Sequence, residues 1–125
     1  MEVYNIIIVI KAFIFLSIIN VWFFRFGKPT SWRAENANSM KEEFKAYGLS
    51  ETMMYLVGGL KVLFALLLLV SIWYEILALP AAAGMSILML GAIIMHFKIG
   101  DPIKKSFPAF SFLILSAIII IYQLS

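Results

Sequence analysis

Two polar residues, Lys61 and His96, are candidates for chemistry because long apolar stretches surround them. Lys61 lies about nine residues, roughly 13 Å, into its apolar stretch, which is farther than a lysine side chain readily reaches to a membrane surface. An ammonium at that depth needs a partner, since an unpaired charge in hydrocarbon is costly. Candidate partners are a backbone carbonyl, His96, water, or a ligand oxygen such as a lipid phosphate or a quinone carbonyl. The alternative is a lysine that reaches the basic face of the membrane.

His96 is the only histidine of the chain and lies near the end of the third apolar stretch. A single histidine cannot complete a metal site or a bis-histidine haem site, which need several ligands. We therefore predict no metal site. Two roles stay open for His96: contacts with loop carbonyls or lipid headgroups, and service as a proton relay or quinone ligand.

Three further residues complete the predicted ligand site. Asn20 is expected to hydrogen-bond between helices. Gly58, one turn before Lys61, has no side chain, so another helix can pack closely on the face of the second span that carries Lys61. Asp101 lies in the connection just after His96. We expect these residues to meet at the bundle end closed by the first and third connections. No nucleophile–base pair or glycine-rich phosphate loop accompanies them, so we predict no catalytic residue.

The composition places these residues in a membrane. Of the 125 residues, 63% are hydrophobic and 14% charged, against about half and about a quarter in soluble domains. Four apolar stretches, at about residues 6–24, 52–73, 80–97 and 107–122, are long enough to cross a bilayer. The fold class is therefore all-α: an integral membrane four-helix bundle, with one transmembrane domain over residues 1–125. Lys11, near the start of the first span, is predicted to reach the outer membrane surface.

The connection between the first two spans has room for a short amphipathic helix at about residues 40–47. Its signals are a capping box at residues 39–42, an apolar face of Met40, Phe44 and Tyr47, and Gly48 as the residue that ends it. We expect this helix to lie at the membrane interface. Ser50 is expected to cap the second span.

Charge and cysteine usage narrow the function classes. The positive residues outside the spans all lie in the first and third connections: Arg25, Lys28, Arg33, Lys41, Lys45, Lys98, Lys104 and Lys105. The positive-inside rule places both connections in the cytoplasm of a multi-pass protein of the cell (inner) membrane. The absence of cysteine excludes thiol redox chemistry, and the basic residues indicate a lipid surface, with no nucleic-acid partner.

The residues from His96 to Lys104, followed by Ala109, resemble the third-loop signature of the DoxX-like family of small four-helix membrane proteins. The segment 57–61 resembles the second-helix motif of that family, and the Phe-rich end of the first span and the segment 47–49 also fit. Where the family has a glutamate in the second helix, this chain has Lys61, so the role of that carboxylate does not carry over. Many members place their termini in the cytoplasm, opposite to the orientation that these loop charges predict.

The resemblance implies links to quinone-coupled oxidation and, in animals, to membrane receptor assembly. Our leading hypothesis is a non-catalytic accessory protein that binds a lipid-like or quinone-like ligand, or a membrane partner, near Lys61 and His96. The alternatives are a membrane subunit of a quinone-linked oxidoreductase and a small oligomeric transporter. No intrinsic cofactor is expected, and the expected partners are membrane lipid and either a membrane protein or further copies of this chain.

Overall fold

The computed structural model describes residues 2–125; Met1, where the predicted domain begins, lies outside the described residues. The described part of the chain is all-helical. Its α-helices are α1 (Val3–Ile19), α2 (Met40–Ala46), α3 (Glu51–Val70), α4 (Ala78–Lys98) and α5 (Phe107–Leu124). With the short helical turns that extend them, four are long and apolar enough to cross a membrane: Val3–Phe24, Glu51–Val70, Glu75–Lys98 and Ile103–Leu124. The predicted all-α class with four spans is confirmed.

The span boundaries differ from the predicted ones at identifiable residues. The second span ends at Val70 instead of residue 73, because Ser71 caps α3 and the chain turns there. Helix α4, the α-helix of the third span, begins at Ala78, before Pro80. Proline is tolerated at that position because the first four N–H groups of a helix have no intrahelical partner.

The four spans form a ring that is open on one side. Helix α1 packs on α3, α3 on α4 and α4 on α5, whereas α1 and α5 touch only slightly. The small residues Ala78, Ala81 and Ala82 of α4 are fully buried, because small side chains let neighbouring helices approach closely. Both connections that carry the basic residues lie at one end of the ring, where the Glu35 amide donates to Asp101 Oδ1 at 3.1 Å.

Helix α2 closes that end of the bundle and confirms the predicted loop helix. Ser39 Oγ accepts a hydrogen bond from the Glu42 amide at 3.2 Å, and the chain leaves the helix through Gly48, whose φ is +78°. The predicted apolar face of Met40, Phe44 and Tyr47 is buried. That face packs on the bundle, with the Phe44 ring 6.0 Å from the ring of Trp22.

Lys11 occupies the opposite end of the bundle. Its side chain is 2% exposed, and Nζ donates to the Ser71 carbonyl oxygen at 3.4 Å. We predicted that this lysine reaches the membrane surface, but the protein encloses it. The charge is stabilised there because the last carbonyls of a helix lack intrahelical partners and carry partial negative charge.

The end of the first span is a π-helix over Asn20–Phe24, which closes with the Arg25 amide bonded to the Asn20 carbonyl at 2.9 Å. The wider turn places the Trp22 ring directly on Gly58 of α3. A Cβ added at Gly58 would overlap that ring, whereas one added at Gly59 would meet no neighbouring atom within 4 Å.

The fit between Gly58 and Trp22 makes a testable pair of substitutions. We expect Gly58→Ala to be less stable than Gly59→Ala by about 1–3 kcal/mol, the usual cost of overpacking a core. Both variants gain the same helix propensity, about 1 kcal/mol, so the comparison isolates the overlap with Trp22. Reversible unfolding of the two proteins in detergent measures the difference. Equal stabilities would contradict the packing described here.

Candidate functional site

A cavity of about 1330 Å³ occupies the half of the bundle that α2 closes. Residues of all four spans, of α2 and of the first connection line it. Three of the five residues predicted for the ligand site, Asn20, Lys61 and His96, lie on its wall. The other two stand next to wall residues: Gly58 beneath Trp22 and Asp101 against His96.

A chain of polar side chains forms one wall of the cavity. Tyr47 Oη donates to Glu43 Oε2 at 2.8 Å and lies 3.1 Å from His96 Nε2. His96 Nδ1 lies 2.7 Å from Asp101 Oδ2. We call these four residues, together with Arg33, the polar cluster. The structure therefore unites His96 and Asp101 as predicted, and adds three residues from the first connection.

The turn after α4 explains why Asp101 reaches His96. Gly100 has a φ of +75°, a left-handed conformation that glycine adopts without strain. The Gly100 amide donates to the Phe97 carbonyl, and the Asp101 amide donates to the His96 carbonyl at 3.0 Å. This is a Schellman ending. It folds Asp101 back over the last turn, so that its carboxylate meets the imidazole of His96.

A buried ion pair anchors the other end of the polar cluster. Arg33 Nη1 lies 2.9 Å from Glu43 Oε1, and the two side chains are only 3% and 11% exposed. The remaining Arg33 donors reach the Lys28 carbonyl at 3.2 and 3.1 Å and the Arg25 carbonyl. Glu43 Oε2 also accepts from the Ala34 amide at 3.3 Å. These bonds close the loop after the first span over the cavity.

The contacts from Glu43 through Tyr47 and His96 to Asp101 require a definite number of protons. Three donor–acceptor contacts link the four groups. With both carboxylates ionised, the phenol supplies one proton and a neutral imidazole supplies one, so two of the three contacts are hydrogen bonds and the third becomes one only when a further proton is present.

The phenol of Tyr47 is held in its protonated form. Burial raises the pKa of Tyr47 far above its ordinary value, and the negative charge of Glu43 and the hydrogen bond to it raise that pKa further. The folded protein therefore keeps a proton that the unfolded chain loses above pH about 10, so its stability falls as the pH rises past that value.

We expect Tyr47→Phe to reduce this loss of stability. Between about pH 9 and pH 11 the free energy of unfolding of the wild type should fall more steeply than that of Tyr47→Phe, by up to about 1.4 kcal/mol per pH unit. Chemical unfolding in detergent at several pH values measures the two slopes. Parallel slopes would contradict the assignment of the buried phenol.

Lys61 is a further polar residue of the cavity wall. Its Nζ is 5.8 Å from the centroid of the Trp22 ring, within reach of a cation–π contact. Within residues 2–125, no hydrogen bond or ion pair involves the Lys61 side chain. The ammonium of Lys61 is thus available to a molecule in the cavity.

Arg33, Glu43 and Tyr47 were not predicted from the sequence as site residues. Tyr47 was assigned only to the apolar face of the loop helix, and Arg33 only to the basic residues of the first connection. A signal was present, because Glu43 and Tyr47 are four residues apart and share one face of a helix. The distance between Tyr47 and His96 in the sequence hid their contact.

The comparisons with known proteins give one match. A family model described as the DoxX-like family matches residues 16–119. This range includes the residues of the cavity wall and of the polar cluster. No curated protein and no solved structure matches the chain. The matched range covers most of the chain and contains the segments whose resemblance to this family was noted in the sequence. The chain therefore belongs to the DoxX-like family and is a multi-pass membrane protein.

Proposed function

We propose that this protein binds an amphiphilic ligand, lipid-like or quinone-like, in the cavity between Lys61 and the polar cluster, and serves as a non-catalytic accessory protein. The observation that carries the proposal is a cavity of about 1330 Å³ with an ammonium on its wall to which no described side chain makes a hydrogen bond or an ion pair. Small-molecule sites are mostly apolar cavities with a few convergent polar groups.

The wall chemistry supports an amphiphile over a fully polar ligand. Val57, Met89 and Phe112 represent the apolar part of the wall, whereas Asn20, Lys61 and His96 supply polar groups. An apolar chain can bury its surface against the first group while its headgroup accepts hydrogen bonds from Asn20 and Lys61, since both ring nitrogens of His96 already contact Tyr47 and Asp101. Such a division of the wall fixes the orientation of the ligand.

Thermal unfolding of delipidated protein in neutral detergent tests the proposal. We expect a decyl-chain quinone, a lysophosphatidic acid, or both to raise the unfolding temperature, because a ligand at about a hundred times its Kd stabilises the folded state by about 2.7 kcal/mol. A hydroxyl-headed detergent of equal chain length serves as the control. Failure of both probes to raise the temperature above this control would contradict the proposal.

The polar cluster favours a second function, a membrane subunit of a quinone-linked oxidoreductase. Tyr47 and His96 face the cavity, and His96 is bonded to Asp101, so the cluster can move protons to a quinone carbonyl. This function requires a redox partner, because the chain carries no flavin, haem or iron–sulfur motif. Co-purification of a redox protein whose quinone reduction slows in His96→Gln would support it, and unchanged reduction would exclude a role for the cluster.

For the orientation, we propose that α2 and both basic connections face the cytoplasm of the cell (inner) membrane, as the positive-inside rule favours. The chain contains no cysteine, so single cysteines report their side without a background. An impermeant maleimide added to intact cells should label Glu75→Cys and leave Lys45→Cys unlabelled until the membrane is opened. The reverse pattern would place both basic connections outside.

A further inference from the structure

We propose that the ligand of this cavity is an acidic amphiphile: a carboxylate or phosphate headgroup held at Lys61, on an apolar chain that leaves the bundle between α1 and α5. The inference rests on the proposed function and specifies the chemistry of the ligand. Three observations carry it: the charge balance of the cavity wall, the position of Lys61, and the gap between two helices of the ring.

The cavity wall is strongly positive. It contains four basic side chains, Arg25, Arg33, Lys61 and Lys105, and one carboxylate, Glu43. That carboxylate is paired with Arg33 at 2.9 Å, and among the described residues it forms no ion pair with Lys61. Lys105 Nζ donates to the Asn36 side-chain oxygen at 2.8 Å, which leaves its charge uncompensated as well. The potential inside the cavity therefore favours an anion.

Lys61 is placed to receive that anion below the membrane surface. It lies ten residues after Glu51, the first residue of α3, about 15 Å along the helix. A neutral headgroup would leave its ammonium without an ion-pair partner in a low-dielectric interior, which is the costly case. An acidic headgroup supplies the counter-charge, and Asn20 on the same wall can donate a further hydrogen bond.

The ring of helices is open on the side where α1 and α5 contact each other only slightly. The rings of Phe13 on α1 and Phe112 on α5 stack at 6.1 Å on one side of the opening. On the other side, Trp32 of the first connection stacks on Phe107, the first residue of α5, at 5.8 Å. Between these two stacks, the cavity wall includes Asn20 from the first span and Ala109 from α5. An apolar chain can pass between α1 and α5 into the surrounding lipid.

Tryptophan fluorescence tests the headgroup preference. In a background of Trp32→Phe and Trp73→Phe, Trp22 on the cavity wall is the single tryptophan. The probes are dibromostearate, whose bromine atoms quench a tryptophan that they contact, and its methyl ester, which has the same chain and no charge. We expect the acid to bind about tenfold tighter than the ester, the value of one hydrogen-bonded charge.

Three variants assign this preference to Lys61. Lys61→Met should bind acid and ester equally. Lys61→Arg should retain the preference for the acid, and that result would show that a cation at this position is sufficient for the preference in a folded site. Lys98→Met changes the net charge by the same amount at an exposed position away from the cavity wall and should bind as the reference does. Loss of the preference in Lys98→Met would overturn the inference, because the effect would then come from net charge.

The remaining outcomes separate the inference from the function on which it rests. Equal binding of acid and ester to the reference protein overturns the acidic headgroup and leaves amphiphile binding in place. If neither probe quenches Trp22, both the acidic headgroup and amphiphile binding are overturned. Displacement of dibromostearate by inorganic phosphate at a similar concentration would assign the site to a free anion and overturn the amphiphile.

Discussion

Replacing Arg33 with methionine is expected to lower the free energy of unfolding by about 3–5 kcal/mol, the usual consequence of leaving one partner of a buried ion pair uncompensated. The Arg33 and Glu43 side chains are 3% and 11% exposed, so solvent cannot replace the lost guanidinium. The variant also leaves the Lys28 carbonyl without its Arg33 donors. Reversible unfolding in detergent measures the loss.

Two further variants identify the cause of this loss of stability. Lys41→Met removes the same charge from a pair with Glu51 whose side chains are 52% and 67% exposed, and we expect it to cost at most about 1 kcal/mol. Adding Glu43→Gln to Arg33→Met should recover part of the stability, because the orphaned buried charge is gone. A double variant no more stable than Arg33→Met would show that the carbonyl contacts of Arg33 dominate.

The second large effect is expected from filling the cavity. Gly91 of α4 lies on its wall, and a Cβ added there meets no neighbouring atom within 4 Å. Gly91→Phe therefore adds a ring at the cavity wall through a Cβ that overlaps no protein atom, and we expect the ring to occupy space that the ligand needs. We expect amphiphile binding to weaken about a hundredfold, or about 2.7 kcal/mol, while the thermal stability of the ligand-free protein stays near that of the wild type.

Gly59→Phe is the matched control for this substitution. Gly59 is also a helical glycine with no neighbouring atom within 4 Å of an added Cβ, and it lies off the cavity wall. Its phenylalanine should leave binding unchanged. If both variants bound like the wild type, the ligand would occupy another part of the molecule. If both lost binding equally, the effect would be a general one of bulk on the helix surface.

The membrane spans could be predicted because their signal is local. A spanning helix satisfies its own backbone and needs only a sufficiently long apolar stretch. The same holds for α2, whose start at Ser39 and end at Gly48 follow from capping rules applied to neighbouring residues. The contact between Asp101 and His96 is also local, since the Schellman ending at Gly100 joins residues that are close in the sequence.

The rest of the site depends on contacts between distant segments. Tyr47 and His96 meet only because the chain at the end of α2 reaches the last turn of α4, and nothing in either segment specifies the other. Arg33 and Glu43 are charged residues of a polar connection, where most charges are solvated; their burial follows from the packing of that connection on the bundle. The opening between α1 and α5 likewise depends on which helices pack together.

Native mass spectrometry of the protein, released from its membrane in a neutral detergent without prior delipidation, tests the central claim most directly. The account predicts that the wild type and Gly59→Phe each carry a bound amphiphile that collisional activation removes, and that Gly91→Phe carries none. Extraction of the wild-type sample then identifies the ligand and its headgroup. A wild-type protein that carries no amphiphile, or a Gly91→Phe variant that carries the same one, would contradict the claim that this cavity is a ligand site.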